Sequence, residues 1–159
     1  MPHLRPNGRE PSDACGEGKN CQNSGNCSKH DRRVSGLTML RQEKPWGYEL
    51  LLVRTERYAG KLLCVRGGER LSLQHHAVKD ETLFLINGEA ELDLERSAGE
   101  CVCLRMTADQ SYRVRPGQKH RLRAISDATV LEISTPELDD VERWADDYGR
   151  TAGDSGGGL

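Results

Sequence analysis

Within one stretch of the chain, Gly68 to Gly88 (GERLSLQHHAVKDETLFLING), three side chains sit at spacings that would let them share one metal ion: the Gln74 amide, the His76 imidazole and the Glu81 carboxylate. Residues two apart on a strand point to the same face, so Gln74 and His76 can both reach one ion. His75 between them then faces away, as a surface residue or a support behind the ligands. Glu81 follows the break Val78-Lys79-Asp80 and opens the apolar run Thr82 to Ile86, which Asn87-Gly88 ends as a tight turn. The pattern predicts two adjacent antiparallel strands with a metal between them, and the Lewis-acid chemistry that a divalent ion brings.

Such ligands need strands to position them. Trp46 to Val53, Lys61 to Arg66, Arg70 to His76, Thr82 to Ile86, Ala90 to Leu94, Cys101 to Met106, Ser111 to Val114, Arg121 to Ile125 and Thr129 to Ser134 read as short strands broken by turn residues. That is the pattern of an all-β sandwich or barrel. After Pro136 the period changes: Leu138, Val141, Trp144 and Ala145 recur at helical spacing, which predicts a short amphipathic helix, opened by Pro136, on the barrel exterior. The domain is expected over residues 39–150, with TAGDSGGGL (151–159) as a flexible tail.

Residues 1–38 are rich in Gly, Asn, Ser and charge and nearly free of large apolar side chains, so they are expected to be a disordered tail. Cys15, Cys21, Cys27 and His30 lie in it, but without the close C-x2-C pairs of structural zinc sites. Met39 stands at the edge of the ordered part, and a translation start there is a further expectation.

The 159 residues suit one domain with its own core. A formal charge of -2 gives no basic excess for a phosphate backbone, which argues against nucleic acid as a partner. No apolar run approaches membrane-spanning length, so no membrane partner is expected. The opening MPHLRPNGRE lacks the apolar core of a secretory signal, making a cytoplasmic location and reduced cysteines the expectation.

The remaining histidine of the ordered part, His120, ends Arg115-Pro116-Gly117-Gln118-Lys119-His120, a Pro-Gly turn leading into a strand. Together these segments resemble the two-part signature of the cupin superfamily, G-x5-H-x-H-x4-E-x6-G followed by P-x-G-x2-H. Gly68, Gln74, His76, Glu81 and Gly88 keep the first spacing, with Gln74 in place of the first histidine. Gly117 and His120 keep the second, with the proline one position late.

The set Gln, His, Glu and His is similar to the zinc ligands of phosphomannose isomerases. GERLSLQ followed by histidine resembles the C-terminal cupin domain of the bifunctional phosphomannose isomerase and mannose-1-phosphate guanylyltransferase proteins. Lys44-Pro45-Trp46-Gly47-Tyr48-Glu49 resembles the entry segment of that domain; Asp139 to Trp144 with Asp147-Tyr148-Gly149-Arg150 resembles its exit helix. The likeness spans about residues 41–150. It departs where those proteins continue H-H-H-R-x-E-H-W and this chain has His76-Ala77-Val78-Lys79-Asp80-Glu81-Thr82-Leu83, a form closer to small standalone isomerase-like cupins.

The resemblance implies an all-β cupin, a double-stranded β-helix or jelly-roll barrel with a short C-terminal helix, holding one divalent metal on Gln74, His76, Glu81 and His120. Zinc is the first expectation, and manganese, iron, nickel and cobalt also suit two imidazoles, a carboxylate and an amide oxygen. It implies a phosphosugar or sugar isomerase similar to mannose-6-phosphate isomerase, with a sugar or sugar phosphate as small-molecule partner. Such an enzyme needs a base to move a proton between adjacent carbons, for which Glu132 is the candidate if it points inward. It also needs cations for a phosphate: Lys61, Arg70 and Lys79, of which Lys61 matches a lysine of the guanylyltransferase-linked domain and is the second catalytic candidate.

Lys61 and Lys79 read equally as solvated charges. Cys101 and Cys103 share a strand face and read as small core residues; Trp46 and Trp144 read as packing anchors. Two rivals remain open: a non-haem iron dioxygenase, since two histidines and a carboxylate also suit ferrous iron, and a non-catalytic sugar-binding or regulatory cupin. Barrel edges and the habit of cupins imply a homodimer.

Overall fold

The computed structural model describes residues 39–97 and 99–150, so the expectations for residues 1–38, including Cys15, Cys21, Cys27 and His30, and for 151–159 lie outside the described residues. Eleven strands follow one another: β1 (Leu40–Lys44), β2 (Gly47–Arg54), β3 (Ala59–Val65), β4 (Leu73–His75), β5 (Glu81–Asn87), β6 (Ala90–Ser97), β7 (Glu100–Arg105), β8 (Ser111–Val114), β9 (His120–Ala124), β10 (Ala128–Ser134) and β11 (Glu142–Ala145). They form a six-stranded sheet in the order β1-β2-β3-β10-β5-β8 and a five-stranded sheet in the order β11-β4-β9-β6-β7. All-β architecture and the cupin barrel stand as expected.

Alternation explains the core. On β10 Ala128, Val130, Glu132 and Ser134 are buried while Thr129, Leu131 and Ile133 are less so, and β5 and β9 show the same two-residue period. The inward set includes Trp46, Leu63, Leu83, Leu92, Val114 and Leu122. Trp46 is 2% exposed, the packing anchor its size predicts. It sits in the short turn of the β1-β2 hairpin, where Lys44 pairs with Gly47. Gly88, the last residue of the first motif, has φ +84, and a Cβ there would meet the Asp127 carbonyl oxygen at 2.0 Å, so no other residue fits.

Several expectations give way. No helix occurs among the described residues: the segment predicted helical from Leu138 to Ala145 instead carries β11, which pairs with β4 through Glu142 and His75, Arg143 and Gln74, and Ala145 and Leu73. A helix this short is marginal in water, whereas the free edge of β4 offers unpaired backbone groups, so long-range pairing overrides the local period. β4 and β5 are also not neighbours. They belong to different sheets, and the Asn87-Gly88 turn crosses from one sheet to the other rather than closing a hairpin. Cys101 and Cys103 are exposed on the edge strand β7, not in the core. Trp144 is 56% exposed and lies outside the core: its Nε1 donates to His75 Nδ1 at 2.8 Å, and Lys119 Nζ stands 3.6 Å from its ring centroid.

Candidate metal centre

The two sheets face each other across the site. Gln74 on β4 is the register partner of His120 on β9, so both side chains project from one sheet, with His76 one residue beyond the end of β4. Glu81 opens β5 in the opposite sheet. The Gly117 amide donates to the His76 carbonyl at 2.6 Å, tying the turn of the second motif to the histidine of the first. Gly117 has φ +78, which suits glycine at that turn.

His76, Glu81 and His120 are all buried, and one ligand atom from each lies within 4.8 Å of the others. His120 Nε2 is 3.1 Å from Glu81 Oε1, and His76 Nε2 is 3.5 Å from Glu81 Oε2. The opposite ring nitrogens both meet carbonyls: His76 Nδ1 donates to the Asp140 oxygen, and His120 Nδ1 donates to the Gln118 oxygen at 3.2 Å. With the proton on Nδ1, each Nε2 presents a lone pair to a carboxylate. His76 Nε2 has no hydrogen-bond partner although it is fully buried. Acceptors converging on acceptors in a buried site suit a cation between them, and two imidazoles with a carboxylate suit a divalent transition metal.

Gln74 lies beside this triad, its Nε2 3.5 Å from His120 Nε2 and its Oε1 accepting the Ser72 hydroxyl at 2.8 Å. A half-turn of the amide exchanges the two atoms and turns the oxygen toward the triad. His75 faces outward, as alternation predicts, with Nε2 3.5 Å from Glu142.

Lys79 is not solvated. Its side chain is 4% exposed, and Nζ lies 2.5 Å from Glu81 Oε2 and 2.7 Å from Glu132 Oε1. Burial by itself would lower its pKa, but the Glu132 and Glu81 carboxylates outweigh that and hold it above the ordinary lysine value. Burial likewise works to raise the Glu81 pKa; the Lys79 ammonium opposes it, and Glu81 stays well below the usual carboxylate range.

Glu132 points inward and is buried. It is the register partner of Lys61, which therefore faces the same interior. Lys61, Lys79, Glu132, Gln74 and His76 line one cavity of about 120 Å³, several times the roughly 10–15 Å³ that one water needs. Arg70 is outside it, with Nε 2.5 Å from Asp147, so the structure does not bring that phosphate candidate to the site.

Sequence reasoning passed over other residues of the cavity wall. Glu49 Oε2 is 3.7 Å from Lys44 Nζ and 3.6 Å from Lys61 Nζ, so two lysines share one carboxylate. Burial lowers the Lys44 pKa; Glu49 opposes this, and Lys61, Arg150 and Arg143 add to it. Lys44 and Glu49 carried a signal only through the likeness of the entry segment, and Arg143 and Arg150 only as part of a misread helix.

The family profile described as "Mannose-6-phosphate isomerase C-terminal" matches residues 34–146. The chain belongs to this family. Among similar relatives of the mannose-6-phosphate isomerase C-terminal family are "Xanthan biosynthesis protein XanB" of Xanthomonas campestris pv. campestris, 32% identical over 68% of this chain and 23% of its own, and "Mannose-1-phosphate guanylyltransferase" of Salmonella montevideo, 28% identical over 77% of this chain and 26% of its own. The chain thus spans about a quarter of these relatives' length.

Solved structures with the same cupin fold include the capsular polysaccharide assembling protein CapF of Staphylococcus aureus, with TM-score 0.54, 15% identity, and coverage of 70% of this chain and 32% of that one. Oxalate decarboxylase of Bacillus subtilis has TM-score 0.59 and 14% identity, covering 67% and 30%. This member of the family has the cupin fold and a buried His76, Glu81 and His120 cluster that could hold a metal ion. No helix of the described residues is long and apolar enough to cross a membrane.

Proposed function

We propose that this chain is a metal-dependent aldose-ketose isomerase acting on a sugar phosphate, similar in reaction to mannose-6-phosphate isomerase. One observation carries the reading: Gln74 and His76 of the proposed ligand set, the inward Glu132 carboxylate and a wall with excess cations line a single cavity, and His76 clusters with the buried Glu81 and His120. His76, Glu81 and His120 would hold the ion, with Gln74 as fourth ligand, and zinc is the metal proposed. When bound, a divalent metal supplies Lewis-acid polarisation of a carbonyl.

The rest falls to the chain's own side chains. Glu132 takes a proton from one carbon and returns it to the neighbouring one, with Lys79 fixing its carboxylate. Lys61 and Lys44, sharing the single charge of Glu49, receive the phosphate at the cavity wall. The half-buried apolar side chains of Leu71 and Val141 narrow the cavity and limit competing water.

The test is solvent-hydrogen exchange. Metal-loaded protein is incubated with aldohexose and ketohexose phosphates in deuterated water, and NMR follows deuterium at the second carbon. Exchange together with interconversion is the expected result. Binding without exchange for every sugar phosphate tried would instead identify a binding module, and purified iron with oxygen uptake would identify an oxygenase.

A further inference from the structure

The loop from β4 to β5, which carries His76, is gathered onto one carboxylate. Asp140 Oδ1 accepts the Ala77 amide at 3.0 Å, and Oδ2 accepts the amides of Val78 at 2.6 Å and Lys79 at 2.8 Å. The backbone oxygen of the same residue accepts His76 Nδ1–H. Asp140 thus touches four consecutive residues, and the fourth of them is the lysine that reaches Glu81 and Glu132. Its carboxyl is held below the usual range, because the three amide donors outweigh the opposing effect of burial.

The neighbours of Asp140 belong to the same apparatus. Leu138, Asp139 and Val141 line the cavity, while Glu142 and Arg143 pair with His75 and Gln74. A backbone carbonyl can set the His76 tautomer only if the chain that bears it is fixed; the β11–β4 pairing ties that chain to the strand, and the Asp140 carboxylate ties it to the loop. Three donors to one half-buried carboxylate make a rigid clamp on a loop that has no strand pairing of its own.

We infer that Asp140 is the positioning residue of the metal centre: its side chain clamps residues 77–79 so that its own carbonyl holds the His76 ring with Nε2 turned toward Glu81. The inference rests on the metal-centre reading but not on the isomerase reading. It treats the Pro136 to Ala145 segment as part of the metal-binding apparatus rather than as a covering of the barrel.

The test uses the full chain and its Asp140→Ala, Asp140→Asn and Glu89→Gln variants. Zn(II) affinity is measured by chelator competition, the ligand field by the absorption bands of the Co(II) form, and the His76 tautomer by ring 15N shifts. Asp140→Ala should bind zinc about 10–100-fold more weakly, the range typical of lost support behind a ligand. It should also shift the Co(II) bands and mix the His76 tautomers.

Asp140→Asn should fall between, since its amide nitrogen would meet a backbone donor. Glu89→Gln, altered only at the exposed pair with Arg105 and outside the metal-binding apparatus, should match the parent. A merely structural role would lower the apo melting temperature and leave the Co(II) bands in place, which would overturn the inference. Unchanged zinc affinity in Asp140→Ala would also overturn it, and so would unchanged affinity in Asp140→Asn should the alanine variant not fold. If the parent chain binds none of zinc, cobalt or manganese, the metal-centre reading falls and the inference with it.

Discussion

Lys79 on the loop before β5 reaches Glu132 on β10 across a gap of 2.7 Å, and the same ammonium lies 2.5 Å from Glu81. One buried cation therefore bridges the carboxylate proposed to hold the metal and the carboxylate proposed to move protons. Two buried carboxylates this close would repel without it. The arrangement makes Lys79 an organiser of the site, and the proposed phosphate role is left to Lys61 and Lys44.

Removing that cation should be costly. Lys79→Met leaves Glu81 and Glu132 buried with no shared counter-charge, and a broken buried pair of this kind destabilises by about 3–5 kcal/mol. Chemical denaturation of the metal-free protein followed by circular dichroism is the measurement. A loss under about 1 kcal/mol, the scale of an exposed pair, would show that Lys79 is dispensable for the fold.

His76→Ala and His120→Ala should each abolish stoichiometric metal while leaving much of the barrel folded. The ligands stand at strand ends and in loops, and the apolar core does not include them. The His76 change also leaves the Asp140 carbonyl without its donor, at a cost of about 1–3 kcal/mol. Metal analysis after dialysis, with near-ultraviolet circular dichroism, checks both. Full metal content in both variants would refute the site.

Glu132→Gln keeps the size of the side chain and removes the base. Isomerisation should fall by about 10²–10⁴-fold in kcat, the range of general acid-base catalysis, with metal content unchanged. Loss of metal in parallel with activity would assign Glu132 to the metal and not to proton transfer.

Lys61→Ala should raise KM for a phosphorylated sugar by about tenfold, the worth of roughly 1.4 kcal/mol, and leave the unphosphorylated sugar nearly unaffected. Equal effects on the two would show that Lys61 does not read phosphate.

Lys44 adds a pH dependence. Its folded pKa is depressed below the ordinary lysine value, burial being the main cause, so between the two values the unfolded chain binds more protons than the folded one. Stability should therefore rise with pH through that alkaline window, and Lys44→Gln should remove the rise. Phosphate-ligand affinity runs the other way, falling as Lys44 loses its charge. Thermal melts and ligand titrations from neutral to alkaline pH test both signs. A melting profile in Lys44→Gln that parallels the parent would reject the assignment.

The sequence by itself determined the ligand types and their spacing, because His76, Glu81 and His120 are tied to local turns that glycines mark at Gly88 and Gly117. It determined the strands β2 to β10 too, since period-two burial is written into short runs such as Ala128 to Ser134, but not β1 or β11. Tertiary structure decided what local patterns leave open. Val130 and Leu131 are both apolar, so only the pairing of Glu132 with Lys61 and its place between β3 and β5 made Glu132 an inward residue.

The same holds for the segment after Pro136, where helical spacing lost to the free edge of β4. It holds again for Lys79, a polar residue in a polar run that becomes buried because carboxylates from two strands meet it. In each case the deciding contact lies far along the chain, and its strength comes from backbone registers and buried charges that no short window of residues contains.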